Sequence, residues 1–154
     1  MTEPSVWPDI LANKSPAFSR ERLIRFSDCD PAAIVFYPQY FVMFNGLVED
    51  WFNEGLGVGY QKTIVERRIG LPTVRLEAEF KSVSKMGERV MLALDVERLG
   101  SKSITLQLSC IGALDRTLRM TIRQVMVTTS LDTHKSIDIP IDIRDAIASV
   151  ATGS

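Results

Sequence analysis

The sequence predicts an α+β fold in which an antiparallel sheet wraps around one long central helix. Apolar residues recur at helical spacing over residues 38–54, which indicates a helix with most of its surface enclosed. From residue 73 onwards, apolar and polar residues alternate in segments separated by short turns, which is typical of hairpin-connected strands. The length of 154 residues suits one domain with a hydrophobic core.

The first strand and the long helix are predicted from the first third of the chain. Residues 18–27 have strand character, with Leu23 and Phe26 expected to point inward. Pro38 fits the first position of the helix, where its missing N–H costs nothing. Gly55 is expected to end the helix. The apolar residues that recur at helical spacing are Tyr40, Phe44, Leu47, Val48 and Trp51.

A shorter helix over residues 58–68 and four further strands are predicted next. The first of these strands is expected to point Val74, Leu76, Ala78 and Phe80 to one face. The same alternation recurs in residues 88–99, 103–114 and 117–131, and a last helix is predicted over 141–150. Because successive hairpins imply an antiparallel sheet covered by a helix, we expect the hotdog arrangement. So small a sheet commonly dimerises to extend itself.

Composition and charge narrow the possible partners. The chain has 18 basic and 19 acidic residues and a formal net charge of -1. No global field therefore draws it to nucleic acid or to an anionic membrane, and we expect neither as a partner. Cys29 and Cys110 are too few for a disulfide scaffold or a zinc site, and we interpret them as reduced thiols of a cytoplasmic protein.

The N-terminal segment does not resemble a targeting signal. It carries acidic residues and prolines where a signal peptide has a basic segment and an apolar core. No apolar stretch reaches the ~18 residues that a bilayer-spanning helix needs. We expect residues 1–17 to be a flexible leader and residues 18–150 to form a single domain.

The residue types in the sequence leave a carboxylate as the candidate catalytic group. His134, the single histidine, lies in a polar turn and is expected at the surface, so a Ser-His-Asp or Cys-His-Asn arrangement has little support. HExxH, CxxC and glycine-rich phosphate-loop motifs are absent. Asp30 follows the first strand, and the long helix starts shortly after it. Unpaired N–H groups at a helix start can stabilise an oxyanion, and a nearby carboxylate can attack a carbonyl or activate water. The alternative is that Asp28 and Asp30 only cap a turn or the helix.

The segment DCDPAAIVFYPQY, Asp28 to Tyr40, resembles the signature of the 4-hydroxybenzoyl-CoA thioesterase family of hotdog-fold acyl-CoA thioesterases. A looser similarity extends from about residue 20 to about residue 130 and includes the GER turn at residues 87–89. The resemblance implies that Asp30 is the nucleophile or general base that acts on the thioester. It also implies that the backbone N–H of Tyr37 holds the thioester oxygen, and that no metal or separate cofactor is needed, since coenzyme A belongs to the substrate.

The resemblance further implies an active site at the interface of a homodimer or homotetramer, with acyl-CoA as the small-molecule substrate. The phosphates of coenzyme A would rest on a rim of basic residues at a hairpin. In this chain the rim positions are filled by Arg98, Ser101 and Lys102. Asn45 stands where the aromatic-acyl branch of the family has an acidic residue that faces the acyl ring, so we expect Asn45 to contact the substrate.

Three functions remain open on the sequence alone. The first is hydrolysis of an acyl-CoA, and the second is hydrolysis of a thioester on acyl carrier protein, because the basic rim is interrupted at residues 99–101. The third is a non-catalytic hotdog module that binds acyl groups. The identity of the acyl group is not determined by the sequence.

Overall fold

The structure, a computed structural model, describes residues 15–151 and confirms the hotdog fold. The predicted leader lies almost wholly outside the described residues. A five-stranded antiparallel sheet has the order β1-β4-β5-β6-β3, and β2 and β7 form a separate pair. The strands are β1 (Phe18–Leu23), β2 (Ile69–Gly70), β3 (Thr73–Phe80), β4 (Arg89–Leu99), β5 (Ser103–Gly112), β6 (Leu118–Val127) and β7 (Thr129–Ser130).

Helix α1 (Tyr37–Asp50) is the central helix, and it continues into a π-helical turn, Trp51–Gly55. It begins one residue before the predicted first position. The predicted second helix is a short segment whose regular part is the π-helical turn Lys62–Glu66. The last helix, α2 (Ile141–Ala151), matches the prediction.

One hydrophobic core joins these elements. The buried faces of β4 and β5 alternate as predicted, and Leu92, Leu94, Leu106 and Leu108 are almost fully buried. Both helices contribute to the same core, α1 through residues such as Phe44 and α2 through Ile143 and Ile147. None of the helices within residues 15–151 is long and apolar enough to cross a bilayer.

Two sequence predictions about side-chain direction are wrong. Leu23 and Phe26 were expected inside, but they are 39% and 83% exposed. Leu23 lies within β1, and alternation from the buried Phe18 places it on the opposite, outer face. Phe26 opens a 3-10 turn, where period-two alternation no longer applies.

The second correction concerns the start of β3. The register against β6 shifts between Thr73 and Arg75, so Val74 is an extra, bulged residue. A bulge reverses the side-chain alternation on one side of it. Thr73 therefore takes the inward register position, opposite Met126, that the sequence pattern assigned to Val74.

Candidate active site

The stretch that leads into α1 is a tight two-stranded loop, residues 28–37, which we call the motif loop. Cys29 and Val35 form an antiparallel bridge. The N–H of Asp30 donates to the carbonyl of Ile34 over 3.0 Å, and the N–H of Phe36 donates to the carbonyl of Asp28 over 2.9 Å. These bonds fold the chain back on itself, so Asp30 and the first residue of α1 belong to one rigid local unit.

Asp30 is half-buried and keeps part of its carboxylate available. Its Oδ1 accepts a hydrogen bond of 2.8 Å from the N–H of Ala32, which is an Asx turn. Within the described residues its Oδ2 accepts no hydrogen bond from the protein. The predicted turn-capping role and a chemical role therefore coexist, because each uses a different oxygen.

The start of α1 offers a free backbone donor at Tyr37. Pro38 has no N–H, and the N–H of Gln39 donates to the carbonyl of Phe36 over 2.8 Å. The N–H of Tyr37 has no acceptor in the part of the chain that the structure describes. It also lies at the positive end of the helix dipole, which favours negative charge. This amide can therefore receive an oxyanion without first breaking a protein hydrogen bond.

Asp28 is structural. Its side chain is buried, and it receives bonds of 2.9 and 3.2 Å from the guanidinium of Arg22 and one of 2.8 Å from the N–H of Arg25. Both carboxylate oxygens are occupied by these donors, so Asp28 holds the entry to the motif loop.

Neither cysteine is a competing nucleophile. Burial, followed by the negative charges of Asp28 and Asp30, raises the pKa of the Cys29 thiol above its usual range. Burial raises the pKa of Cys110 to about 12. Because the thiolate is the reactive form, both residues are unreactive thiols at neutral pH.

A groove of about 360 Å³ lies between α1 and the β3–β6 edge of the sheet. This volume is at the lower end of the range for ligand pockets. Asn45 is exposed and faces this groove, about 12 Å along the helix from Tyr37 at 1.5 Å per residue. The remaining lining residues are Phe41, Val42, Phe44, Thr73, Leu76, Ile122 and Gln124.

Three neutral polar side chains lie in this otherwise apolar groove, and the bulge at Val74 brings one of them, Thr73, into it. Gln124 is only 7% exposed and occupies an inward position on β6. Its Nε2 donates to the Oγ1 of Thr73 over 2.7 Å. Asn45 is the third neutral polar group, and none of the described residues that line the groove is charged. Sequence periodicity missed Thr73, because a bulge carries no signal in the alternation, whereas Gln124 continues the inward alternation of Met120 and Ile122 and could have been found from it.

The predicted phosphate-binding rim is far from Asp30 within one chain. Arg98, Ser101 and Lys102 lie at the β4–β5 turn, whereas the motif loop follows Leu23, which pairs with the first residue of β4. The 11-residue strand β4 separates them by roughly 30 Å at about 3.3 Å per residue. Lys102 is bound to Asp138 by a 2.9 Å ion pair, while Arg98 is exposed.

The other sequence predictions about chemistry concern the single histidine and metal binding. His134 lies exposed in a turn, as expected, and adopts a positive φ of 60°. Within residues 15–151, no three His, Cys, Asp or Glu side chains are grouped as metal ligands would be.

The five-stranded antiparallel sheet around a long apolar helix defines a hotdog-fold domain. Its motif loop carries the candidate site, which consists of the Tyr37 N–H and the Oδ2 atom of Asp30. Residues 24–147 match the family model of the thioesterase-like superfamily, and the chain belongs to that superfamily. The predicted resemblance is thereby confirmed. No curated protein sequence matches the chain.

Solved structures of similar fold include several thioesterases. The 1,4-dihydroxy-2-naphthoyl-CoA thioesterase Slr0204 from Synechocystis has a TM-score of 0.79 at 21% identity, with 85% of this chain and 95% of that chain covered. A thioesterase superfamily protein from Jannaschia sp. CCS1 has a TM-score of 0.79 at 24% identity, with 97% of each chain covered. A mutant 4-hydroxybenzoyl-CoA thioesterase complexed with 4-hydroxybenzoyl-CoA has a TM-score of 0.76 at 24% identity, with 84% and 96% covered. At these identities the likeness establishes the fold.

Proposed function

We propose that the protein is an acyl-CoA thioesterase that hydrolyses its substrate to a free acid and coenzyme A. The observation that carries the proposal is the motif loop, which holds a carboxylate oxygen of Asp30 and the N–H of Tyr37 without protein partners on one short unit. Membership of the thioesterase-like superfamily supports the same reaction class.

In the proposed mechanism the thioester oxygen lies against the Tyr37 N–H. Asp30 either attacks the carbonyl carbon or removes a proton from the water that attacks it. The negative charge that develops on the oxygen is stabilised by the Tyr37 N–H and the helix dipole. The carbon–sulfur bond then breaks, and the CoA thiolate leaves and takes up a proton. On the nucleophilic route, water hydrolyses the acyl-aspartate anhydride in a second step. Neither route requires a metal or a separate cofactor.

The acyl group is proposed to occupy the groove beside α1, where Asn45 contacts it. The CoA phosphates are proposed to rest on Arg98, Ser101 and Lys102. Because these three residues are remote from Asp30 within one chain, they would serve a site completed by another copy. The protein is therefore proposed to act as a homodimer or homotetramer, in the cytoplasm, where free thiols such as Cys29 and Cys110 are stable.

The test is release of free thiol from a panel of acyl-CoAs by the purified protein. We expect hydrolysis of at least one acyl-CoA and a fall in kcat of at least ~100-fold in Asp30→Asn, the range for loss of an acid–base group. Asp132→Asn, which removes an exposed carboxylate in a distant turn, is the matched control and should keep full activity.

Three outcomes would contradict the proposal in different ways. Undiminished turnover in Asp30→Asn would exclude the assigned role of that carboxylate. Hydrolysis only when the acyl group is carried by acyl carrier protein would establish the carrier alternative. Tight retention of acyl-CoA without thiol release would establish a binding module.

A further inference from the structure

Arg119 on β6 is a buried guanidinium with all of its donors used. It is 3% exposed, although it is the second residue of its strand. Nη1 donates to the carbonyl of Val83 over 2.8 Å and to Glu88 over 2.9 Å. Nη2 donates to Glu88 over 3.4 Å and to Asp115 over 3.0 Å, and Nε donates to Thr117 over 3.0 Å. A guanidinium has five N–H groups, and these five contacts account for all of them.

Three of these contacts hold the connection between β3 and β4, residues 82–88, which we call the bracing segment. The main chain of Arg119 holds the same segment, because its carbonyl accepts the N–H of Ser82 over 3.0 Å and that of the preceding Lys81 over 2.8 Å. The N–H of Lys85 also donates to Glu88 over 2.6 Å, so the segment is tied to itself as well as to β6.

The bracing segment in turn supports the motif loop from behind. The N–H of Val35 donates to the carbonyl of Ser84 over 2.9 Å, and the N–H of Met86 donates to the carbonyl of Ala33 over 3.0 Å. The hydroxyl of Tyr40, in the first turn of α1, donates to the Oγ of Ser84 over 2.9 Å in a fully buried contact. These three bonds reach the motif loop and α1 on both sides of Tyr37.

We propose that Arg119 is the positioning residue of the candidate active site and that it acts through the bracing segment on the motif loop. The inference rests on the proposed function for its catalytic consequence, but the mechanical coupling from Arg119 to the loop does not depend on it. A displacement of about 1 Å at a reacting group can lower the rate ~100-fold, so a loop that carries both reactive groups needs such support.

The surroundings of Arg119 are shaped to hold it in one place. A Cβ atom added at Gly112 would lie 2.0 Å from Asp115 and 2.5 Å from Nη2 of Arg119. A side chain at position 112 would therefore have to displace the carboxylate of Asp115 and the guanidinium of Arg119. Because a lysine cannot reproduce the planar, five-donor geometry, charge alone does not satisfy this site.

The test uses full-length Arg119→Lys and Arg119→Met, with amide hydrogen exchange and steady-state kinetics on a hydrolysed acyl-CoA. We expect the amides of Val35 and Met86 to exchange at least ~10-fold faster in both variants, while those of Leu106 and Leu108 in β5 stay protected. We expect kcat to fall ~10–100-fold with KM changed less than about threefold, because binding surfaces are left intact.

The matched control is Arg67→Met, which removes another bidentate arginine–aspartate pair, to Asp142, away from the motif loop. It should leave the exchange of Val35 and Met86 and the value of kcat unchanged. Glu88→Gln is a milder second variant, in case Arg119→Met does not fold, and it should increase exchange at the same two amides.

Two results would overturn the proposal. Exchange at Val35 and Met86 equal to wild type in the Arg119 variants would show that the coupling does not exist. Equal acceleration in β5 would show a merely structural role. If the wild-type protein hydrolyses no thioester, the proposed function fails, yet the exchange measurement still decides whether Arg119 holds the loop.

Discussion

At the scale of single residues, two aspartates separated by one residue have different tasks because their hydrogen bonds differ. Asp28 is buried and both of its oxygens face donors from Arg22 and Arg25. Asp30 is half-buried and uses one oxygen for a local turn. The first carboxylate therefore stabilises the loop, and the second is available for chemistry.

Replacing Asp28 with asparagine should lower the free energy of unfolding by about 2 kcal/mol, because the Arg22 guanidinium loses its charged partner. Denaturant unfolding monitored by tryptophan fluorescence measures the change. Asp132→Asn, which removes the partner of the exposed Arg68, is the control and should lie within about 0.5 kcal/mol of wild type. Equal stability of Asp28→Asn and wild type would contradict a structural role for Asp28.

Ala33 is the residue of the motif loop that carries backbone strain. Its φ is 62°, a left-handed conformation that is unfavourable for a residue with a Cβ atom. We expect Ala33→Gly to raise the free energy of unfolding by about 0.5–1 kcal/mol, since the relief of strain exceeds the extra entropy of glycine in the unfolded chain. Thermal unfolding measures it. A lower melting temperature for Ala33→Gly would show that the Ala33 methyl group contributes a contact that outweighs the strain.

At the scale of elements, the connection between β3 and β4 is more than a loop between strands. Residues 82–88 are hydrogen-bonded to β6 on one side and to the motif loop on the other. Loops fixed by buried ion pairs depend on the ionisation of their carboxylates, and the hydrogen bond from Arg119 holds the pKa of Glu88 below its usual range.

The stability contribution of Glu88 should therefore depend on pH. Because its folded-state pKa is lowered, the contribution is fully present above the unfolded-state value of ~4.3 and is lost as the pH falls through the folded-state pKa. The difference in unfolding free energy between wild type and Glu88→Gln should be largest near pH 7 and should shrink below about pH 4. Urea unfolding at a series of pH values measures it. Parallel curves for the two proteins over the whole range would contradict the ionised pair.

At the scale of the whole molecule, the two edges of the main sheet differ in character. Both edge strands carry charged residues, which discourage pairing with another chain, but β1 exposes one large apolar side chain, that of Leu23. The other edge strand, β3, is exposed along nearly all of its length and presents Val74, Leu76 and Phe80 at 60%, 42% and 52% exposure. The ring of Phe80 also lies 6.1 Å from that of Tyr37, so this apolar edge adjoins the candidate site.

We expect a second copy to cover the β3 edge, so Leu76→Lys should yield a single-chain mass of 17.2 kDa where the wild type has the mass of two or four chains. Burying a lysine at this edge would carry an unpaired charge into the interface. Light scattering after gel filtration measures the mass. Val65→Lys, at a valine that is 57% exposed elsewhere, is the control and should assemble like wild type. A wild-type protein of single-chain mass would refute the expectation.

The amino-acid sequence by itself determined the class of fold, the long helix and the identity of the motif loop. Helical spacing in α1 and period-two alternation in β4 and β5 are local signals that the folded protein preserves, because each buries one face of a regular element. The same signals misplaced Phe26 and Val74, since the end of β1 and a bulge in β3 interrupt the period without changing composition, and they assigned Leu23 to the wrong face of β1.

Tertiary structure alone decided which side chains support the motif loop and which are far from it. Arg119 and Glu88 are 31 residues apart, and Tyr40 and Ser84 are 44 residues apart, so no local pattern could pair them. It also placed Arg98 and Lys102 at the opposite end of β4 from Asp30. The physical reason is the same in each case: a hydrogen bond or an ion pair between distant segments forms only after the sheet has brought them together.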